Sequence, residues 1–237
     1  MKITLKKNPA SPTIIEGFPG FGLVGTITTE YLIDALKAKY IGSIKIDGLA
    51  PMVAIHEGEM IRPMGIYYDD KTNIIILHVM TNVTGMEFEV ADGLIELAAK
   101  LKAKEIISVE GVGSPISTEE PRLFHYANNT GSEKKLRSVK IDKLSEGIVM
   151  GVTASLLLNA NHSTNITCFF AETHSKLPDS FAAAKVVEGL DKYLGLKIDY
   201  KPLLKQAEKF EEKIKDLIQK GQTAKKAQMD KQLSYVG

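Results

Sequence analysis

Apolar residues recur at helical spacing in several segments of the chain. Leu94, Leu97 and Leu101, for example, are separated by three and four residues, which places their side chains on one face of an α-helix. The predicted helices cover residues 23–38, residues 85–103, residues 152–160, a segment marked by the run Ala183, Val187, Leu190 and Leu194, and residues 201–220. The fourth of these is expected to have its N-cap at Asp179 or Ser180.

Shorter runs rich in β-branched and other apolar residues predict strands between these helices. The predicted strands cover residues 13–17, 40–47, 53–56, 59–63, 65–68, 73–80, 105–110 and 164–172. Residues 147–151 resemble the end of a further strand, whereas the polar stretch up to about residue 146 is expected to be loop or irregular chain.

The order of these elements favours an α/β fold. Strands alternate with helices, and a meander of strands follows the second strand, which indicates a three-layer αβα sandwich with a mixed sheet. We expect a core domain over residues 1–199, an amphipathic helix over residues 200–221 and a flexible basic tail over residues 222–237.

The composition narrows the class of protein. The chain has 237 residues, of which 44% are hydrophobic, and its formal net charge is +1. This charge argues against a nucleic-acid binder, although residues 200–237 carry nine Lys against five acidic residues. No apolar run is long enough to span a membrane and the first residues do not resemble a signal peptide, so we expect a cytoplasmic protein without a membrane partner.

The last predicted helix carries an apolar stripe that needs a packing partner. Its members include the candidates for contacts between subunits: Leu203, Phe210, Ile214 and Leu217. Two alternatives are open, since the stripe could bind a second copy of the chain or pack on its own core domain.

A glycine-rich turn follows the first predicted strand. Gly20, Gly22 and Gly25 match the Gly-x-Gly-x-x-Gly pattern, which can hold the phosphates of a dinucleotide at the start of a helix. Asp47 stands roughly where a ribose-binding carboxylate is expected. The alternative is that the glycines permit a positive φ angle and close packing of helix on strand.

Polar residues stand at the ends of two predicted strands, namely Glu110 with Ser114 and Glu172 with His174. They could line one pocket of the kind that a hydrolase or phosphorylase needs, or they could cap strands and helices. The sequence has no nucleophile elbow, Walker loop or zinc-binding helix, and its five histidines have no metal-ligand spacing. We therefore expect neither a metal nor a cofactor.

Several separated stretches resemble one family. They are residues 16–25 with 31–33, residues 93–98 leading to 106–112, residues 147–151 with 156–157, and residues 171–173 with 177–179. In this order they are similar to the archaeal branch of the proteasome assembly chaperone family, and the resemblance extends over roughly residues 13–220.

The resemblance implies a fold similar to that of nucleoside phosphorylases and related hydrolases, but without established catalytic activity. It also implies a homo-oligomer, a tetramer or a pentamer, that assists assembly of 20S proteasome α subunits. Members that dock on the proteasome have a C-terminal tail with a penultimate tyrosine. Here the corresponding tail residues are Tyr235, Val236 and Gly237, and the tyrosine is third from the end.

The leading hypothesis is therefore a non-enzymatic assembly chaperone whose partners are proteasome α subunits or a paralogous subunit. The altered tail leaves direct docking on an α ring, a different client and a helper role as alternatives. Another hypothesis is a small-molecule or nucleotide-binding enzyme that uses the turn from Gly20 to Gly25 with strand-end carboxylates.

Overall fold

The computed structural model describes residues 1–49, 53–56, 58–113, 120–160, 164–173 and 177–205. In chain order its strands are β1 (Lys2–Leu5), β2 (Thr13–Gly17), β3 (Lys39–Lys45), β4 (Ala54–His56), β5 (Glu59–Ile61), β6 (Met64–Asp69), β7 (Ile74–Val79), β8 (Glu105–Gly113), β9 (Leu123–Ala127), β10 (Asp142–Lys143) and β11 (Ile166–Thr173). Its helices are α1 (Val24–Leu36), α2 (Glu87–Leu101), α3 (Thr130–Ser138), α4 (Gly151–Asn159) and α5 (Ser180–Leu194).

Nine of these strands form one mixed sheet in the order β1-β3-β6-β7-β2-β8-β11-β9-β10. The central strands β7, β2, β8 and β11 are mutually parallel. On one side β1, β3, β6 and β7 pair antiparallel, and on the other side β9 pairs antiparallel with β11. Of the four strands predicted as a meander after the second strand, only β6 and β7 belong to this sheet. The strands β4 and β5 form a separate hairpin.

Helices cover both faces of the sheet. Ile14 of β2 belongs to the core layer under α2 and α4, whereas its neighbour Ile15 belongs to the layer under α1 and α5. Consecutive side chains of a strand point to opposite faces, so a central strand that is covered on both sides must be apolar at nearly every position. The run Ile74–Val79 meets this requirement, since all its residues are buried. The predicted three-layer α/β fold is confirmed.

The predicted helix stripes lie in the core. Leu94, Leu97 and Leu101 of α2 are buried against the sheet. At the start of α5, the side chain of Asp179 accepts a hydrogen bond from the backbone N–H of Ala182 at 2.9 Å. Asp179 is therefore the N-cap, as one of the two sequence alternatives predicted.

Two predictions for the middle of the chain were wrong. The stretch expected to be irregular contains β9, α3 and β10. The helix α3 has Leu136 as its only buried residue, so it has no apolar stripe to detect. Residues 147–151 do not form the expected strand end, and Ile148 is 87% exposed.

The chain beyond α5 returns to the core domain. Residues 201–205 are helical, and Leu203 is only 2% exposed because it packs with Ala184 and Val187 of α5. This is the packing that the intrachain alternative predicts for the start of the C-terminal helix. The other stripe residues, Phe210, Ile214 and Leu217, lie outside the described residues. Among the helices of the described ranges, none is long and apolar enough to cross a membrane.

Candidate functional site

The glycine turn connects β2 to α1 at the carboxyl end of the sheet. Gly22 has a φ of +62°, and a Cβ atom built on it would lie 2.7 Å from Thr173 Oγ1. The carbonyl of Gly22 accepts a hydrogen bond of 2.8 Å from the backbone N–H of Asp179. A side chain at this position would therefore be strained and would push the turn away from β11 and α5.

The last glycine of the pattern lets α1 approach the sheet. A Cβ on Gly25 would lie 2.6 Å from the carbonyl oxygen of Val109 in β8. A Cβ on Gly17 would lie 2.3 Å from the carbonyl oxygen of Gly25. Backbone atoms cannot yield to a methyl group as a flexible side chain can. The packing of α1 on β2 and β8 accounts for these two glycines without a ligand.

Gly20 differs from the other two glycines of the pattern. It is extended, with a φ of −150°, and a Cβ on it would meet nothing closer than Glu110 Oε1 at 3.8 Å. Its conformation and surroundings therefore do not require glycine. Gly20 lies instead on the wall of a cleft.

This cleft has a volume of about 380 Å³. Its described walls come from the glycine turn, the loop after β7, the start of α2, the end of β8 and the start of α4. The chain leaves β2 toward α1 on one face of the sheet and leaves β7 toward α2 on the other face. Clefts at such switch points, outside the carboxyl ends of parallel strands, are the usual ligand sites of open α/β sheets.

A second cleft of about 460 Å³ lies beside the first. The two share Phe21, Glu110 and Met150 on their walls. Glu172 also lines the second cleft, so the fold brings together two of the four strand-end residues that the sequence singled out. The other two, Ser114 and His174, lie outside the described residues.

Glu172 is held by an ion pair. The guanidinium of Arg122 donates from Nε to Oε2 at 2.8 Å and from Nη2 to Oε1 at 2.6 Å. Such a two-pronged, charge-assisted contact fixes the orientation of the carboxylate. Glu172 is therefore a structural anion on the wall of the second cleft, and Arg122 is a site residue that the sequence analysis missed.

Two further carboxyl groups lie between the sheet and the clefts. Burial raises the pKa of Glu110 to about 7, and a hydrogen bond from Thr153 opposes part of this increase. Burial also raises the pKa of Glu16 to about 8, with Ser108 opposing and the charge of Glu110 adding to the shift. Glu110 Oε2 and Glu16 Oε1 are buried and have no hydrogen-bond partner among the described residues.

The hydroxyl groups of Ser108 and Thr153 connect this acidic pair. Their oxygens are 2.7 Å apart, and both residues are buried. The sequence analysis missed Glu16, Ser108 and Thr153. The signal for Glu16 was available, since it is the one charged residue in the apolar strand β2.

Cys168 and His78 are both buried in the core. Cys168 is completely buried and burial raises its pKa, as expected for a small core residue. His78 lies 3.0 Å from Thr29 Oγ1, and burial lowers its pKa to about 4. Within the described ranges, no three His, Cys, Asp or Glu side chains come close enough to hold a metal ion.

The surface also has exposed apolar side chains. In the hairpin of β4 and β5, Ile55 is opposite Met60, so both side chains are on the same face. Ile55 is 75% exposed and Met60 is 56% exposed. Ile148 and Met150, in the loop before α4, are exposed as well.

Comparisons with known proteins connect this architecture to one family. The chain matches the PAC2 family over residues 14–218. It is 30% identical to Pyrococcus furiosus PbaA, described as an archaeal homolog of proteasome-assembly chaperone, with a TM-score of 0.86 and 97% of each chain covered. It is 26% identical to P. furiosus PbaB, described as an archaeal proteasome activator, with a TM-score of 0.78, covering 91% of this chain and 98% of PbaB.

A curated relative supports the same assignment. The uncharacterised protein MJ0106 of Methanocaldococcus jannaschii is 26% identical over 213 residues, which cover 88% of this chain and 86% of the relative. The family match, the full-length structural likeness to PbaA and the shared α/β sheet agree with the resemblance found in the sequence. The chain belongs to the PAC2 family.

Proposed function

We propose that this chain is a non-enzymatic chaperone-like protein that assists assembly of 20S proteasome α subunits, or of a closely related complex, as a homo-oligomer. The observation that carries the proposal is the likeness to PbaA, which extends over 97% of both chains with a TM-score of 0.86.

Exposed apolar side chains support a role in protein–protein contacts. The pair of Ile55 and Met60 projects from the β4–β5 hairpin, and Ile148 projects from the loop before α4. Isolated apolar residues on a surface are common, whereas contiguous exposed apolar patches mark sites of contact with other proteins. We assign the hairpin to the contacts between subunits.

The C-terminal tail supplies a second contact in this proposal. Tyr235, Val236 and Gly237 lie outside the described residues, and so does most of the basic segment that precedes them. Several tails on one oligomer would bind together and gain affinity through their high effective concentration. Because the tyrosine is third from the end, a paralogous subunit is an alternative client to the α ring.

Affinity capture tests this function. The purified chain, tagged at its N-terminus, is mixed with recombinant archaeal proteasome α subunits, beside a variant that lacks residues 222–237. We expect the full chain to retain α subunits and the shortened variant to retain fewer. Absence of α subunits from the full-chain fraction would contradict the proposed client, while weaker capture by the shortened variant would locate the contact in the tail.

A further inference from the structure

The described side chains that line the first cleft include acidic groups but no basic ones. Among the described residues that line it, Glu87 and Glu110 carry carboxyl groups and none is Lys, Arg or His. Phe18 and Phe21 contribute aromatic rings, and most other lining residues are apolar or uncharged. A phosphate or carboxylate ligand would be repelled here, whereas a cation would meet two carboxyl groups and two aromatic side chains.

Among the described residues that line the first cleft, Glu110 has a buried carboxyl oxygen, Oε2, without a hydrogen-bond partner. Its Oε1 lies beside Gly20 at the wall of the cleft. An unpaired buried carboxyl oxygen costs free energy unless a donor reaches the group. Burial accordingly raises the pKa of Glu110 to about 7, and a bound cation would lower it again.

The start of α4 lies against the same cleft, and a helix N-terminus favours an anion. Glu110 is in the position to be that anion, because it lines the cleft together with Thr153 in the first turn of α4. A ligand entering the cleft meets the carboxylate together with the aromatic rings of Phe18 and Phe21.

We propose that this cleft binds an organic cation, an amidinium, guanidinium or primary ammonium group attached to a small apolar body, with Glu110 as its counter-ion. The volume of about 380 Å³ suits a compact ligand, since small-molecule sites measure roughly 300–1,000 Å³. The apolar body lies between Phe18 and Phe21, and Glu87 adds negative charge at the start of α2.

Three probes of one shape test the proposal by isothermal titration calorimetry. Benzamidine, benzamide and benzoate share a ring and differ in charge. We expect benzamidine to bind, benzamide to bind at least about tenfold more weakly and benzoate to show no binding, because only benzamidine offers a positive charge to Glu110. Equal binding of benzamide, tighter binding of benzoate or no binding of benzamidine would each overturn the proposal.

Matched variants locate the site. We expect Glu110→Gln to weaken benzamidine binding at least about tenfold, and Glu96→Gln, an exposed charge removal on α2, to leave it unchanged. Circular dichroism checks that both variants fold, and the three-probe series on the unaltered chain is a test that requires no variant. Unchanged affinity in a folded Glu110→Gln variant would contradict the assignment of the counter-ion.

The pH dependence provides another readout. Since the cation binds the ionised form of Glu110, affinity for benzamidine is expected to rise up to about tenfold as pH increases from about 6 to 8. Among the described residues, the other titratable and charged groups on neighbouring elements are Glu16 on β2, Glu87 on α2, Cys168 on β11, and the Arg122–Glu172 pair with Lys143 and Glu146 across the second cleft. A flat profile in the unaltered chain would contradict the role of Glu110.

The cation has two possible sources, a free small molecule or a lysine of the chain's own tail. A chain that lacks residues 222–237 distinguishes them. Tighter benzamidine binding by the shortened chain would assign the cation to a tail lysine, and equal binding would assign it to a free molecule. Both results support the site, whereas loss of benzamidine binding on shortening would overturn it.

Discussion

Glu16 is a charged residue in a strand that the fold covers on both faces. It is 1% exposed, and its Oε1 has no partner among the described residues. Its pKa is about 8, whereas the ordinary value is 4.5. A carboxyl group in such a position is neutral in the folded protein at neutral pH, and ionising it works against folding.

We expect this group to make stability fall with increasing pH. Between about pH 4.5 and 8 the folded state binds more protons at Glu16 than the unfolded state, so the free energy of unfolding decreases as pH rises. Glu16→Gln removes this titration and should flatten the profile. Urea denaturation at about pH 5, 7 and 9 measures the slope. Glu96→Gln is the control, and an equal change of slope in both variants would refute the assignment.

Gly25 and Gly20 differ in how closely other atoms approach them, so substitutions at these two positions test whether the turn needs glycine for packing. A Cβ on Gly25 would lie 2.6 Å from a backbone oxygen, whereas a Cβ on Gly20 has open space on the cleft side. We expect Gly25→Ala to lower the free energy of unfolding by about 1–3 kcal/mol and Gly20→Ala to change it by less than about 0.5 kcal/mol. Chemical denaturation of both variants checks this, and similar costs at the two positions would contradict the packing account.

At the scale of elements, hydrogen bonds at the start of α5 connect the glycine turn to the sheet. Asp179 caps the helix through Ala182, accepts a hydrogen bond of 2.7 Å from Thr173 Oγ1, and donates its backbone N–H to Gly22. One residue therefore connects the end of β11 and the start of α5 through its side chain, and the turn before α1 through its backbone.

Removing that cap is expected to destabilise the fold. Asp179→Ala deletes both side-chain hydrogen bonds and should cost about 1–2 kcal/mol, since capping residues contribute on this order. Asp179→Asn retains an acceptor oxygen for Ala182 and should cost less. Thermal and urea unfolding of the pair provide the measurement. A loss of stability as large in the Asn variant as in the Ala variant would exclude capping as the cause.

The sequence predicted correctly those helices and strands in which burial produces a regular pattern of apolar residues. Leu94 and Leu97 mark α2 because one helix face must enter the core, and Ile74–Val79 is apolar throughout because both sheet faces are covered. The polar helix α3 escaped detection because only Leu136 is buried. Its one available signal was the N-cap Asn129, which accepts a hydrogen bond from Ser132.

The site was less predictable than the fold. Glu110 and Glu172 were expected at strand ends, and the sheet does bring them to one cleft. The partner of Glu172 is Arg122, 50 residues away on the chain, and no local pattern encodes that pairing. The link between Ser108 and Thr153 likewise depends on how α4 packs on β8, which requires the tertiary structure.

At the scale of the whole molecule, the hairpin of β4 and β5 stands apart from the main sheet and carries exposed apolar side chains. Ile55 and Met60 lie opposite each other on it. These residues contribute little to the stability of a single chain because they are exposed. Covering them in an oligomer would bury apolar surface, at about 25 cal/mol for each Å² removed from water.

A double variant tests the assignment of the hairpin to subunit contacts. We expect Ile55→Ser with Met60→Ser to leave the circular dichroism spectrum unchanged and to lower the molar mass measured by light scattering after size exclusion. Leu158→Ser is the control, since it removes an equally exposed apolar side chain from α4. An oligomer of unchanged mass in the double variant would exclude the hairpin from the interface.

Native mass spectrometry of the full chain mixed with archaeal 20S proteasome α subunits is the most direct test of the central claim, that this PAC2 family member assists proteasome assembly. We predict species whose masses contain both an oligomer of this chain and α subunits, and their loss when residues 222–237 are removed. Spectra in which folded chain and α subunits appear only as separate species, at micromolar concentrations, would contradict the account.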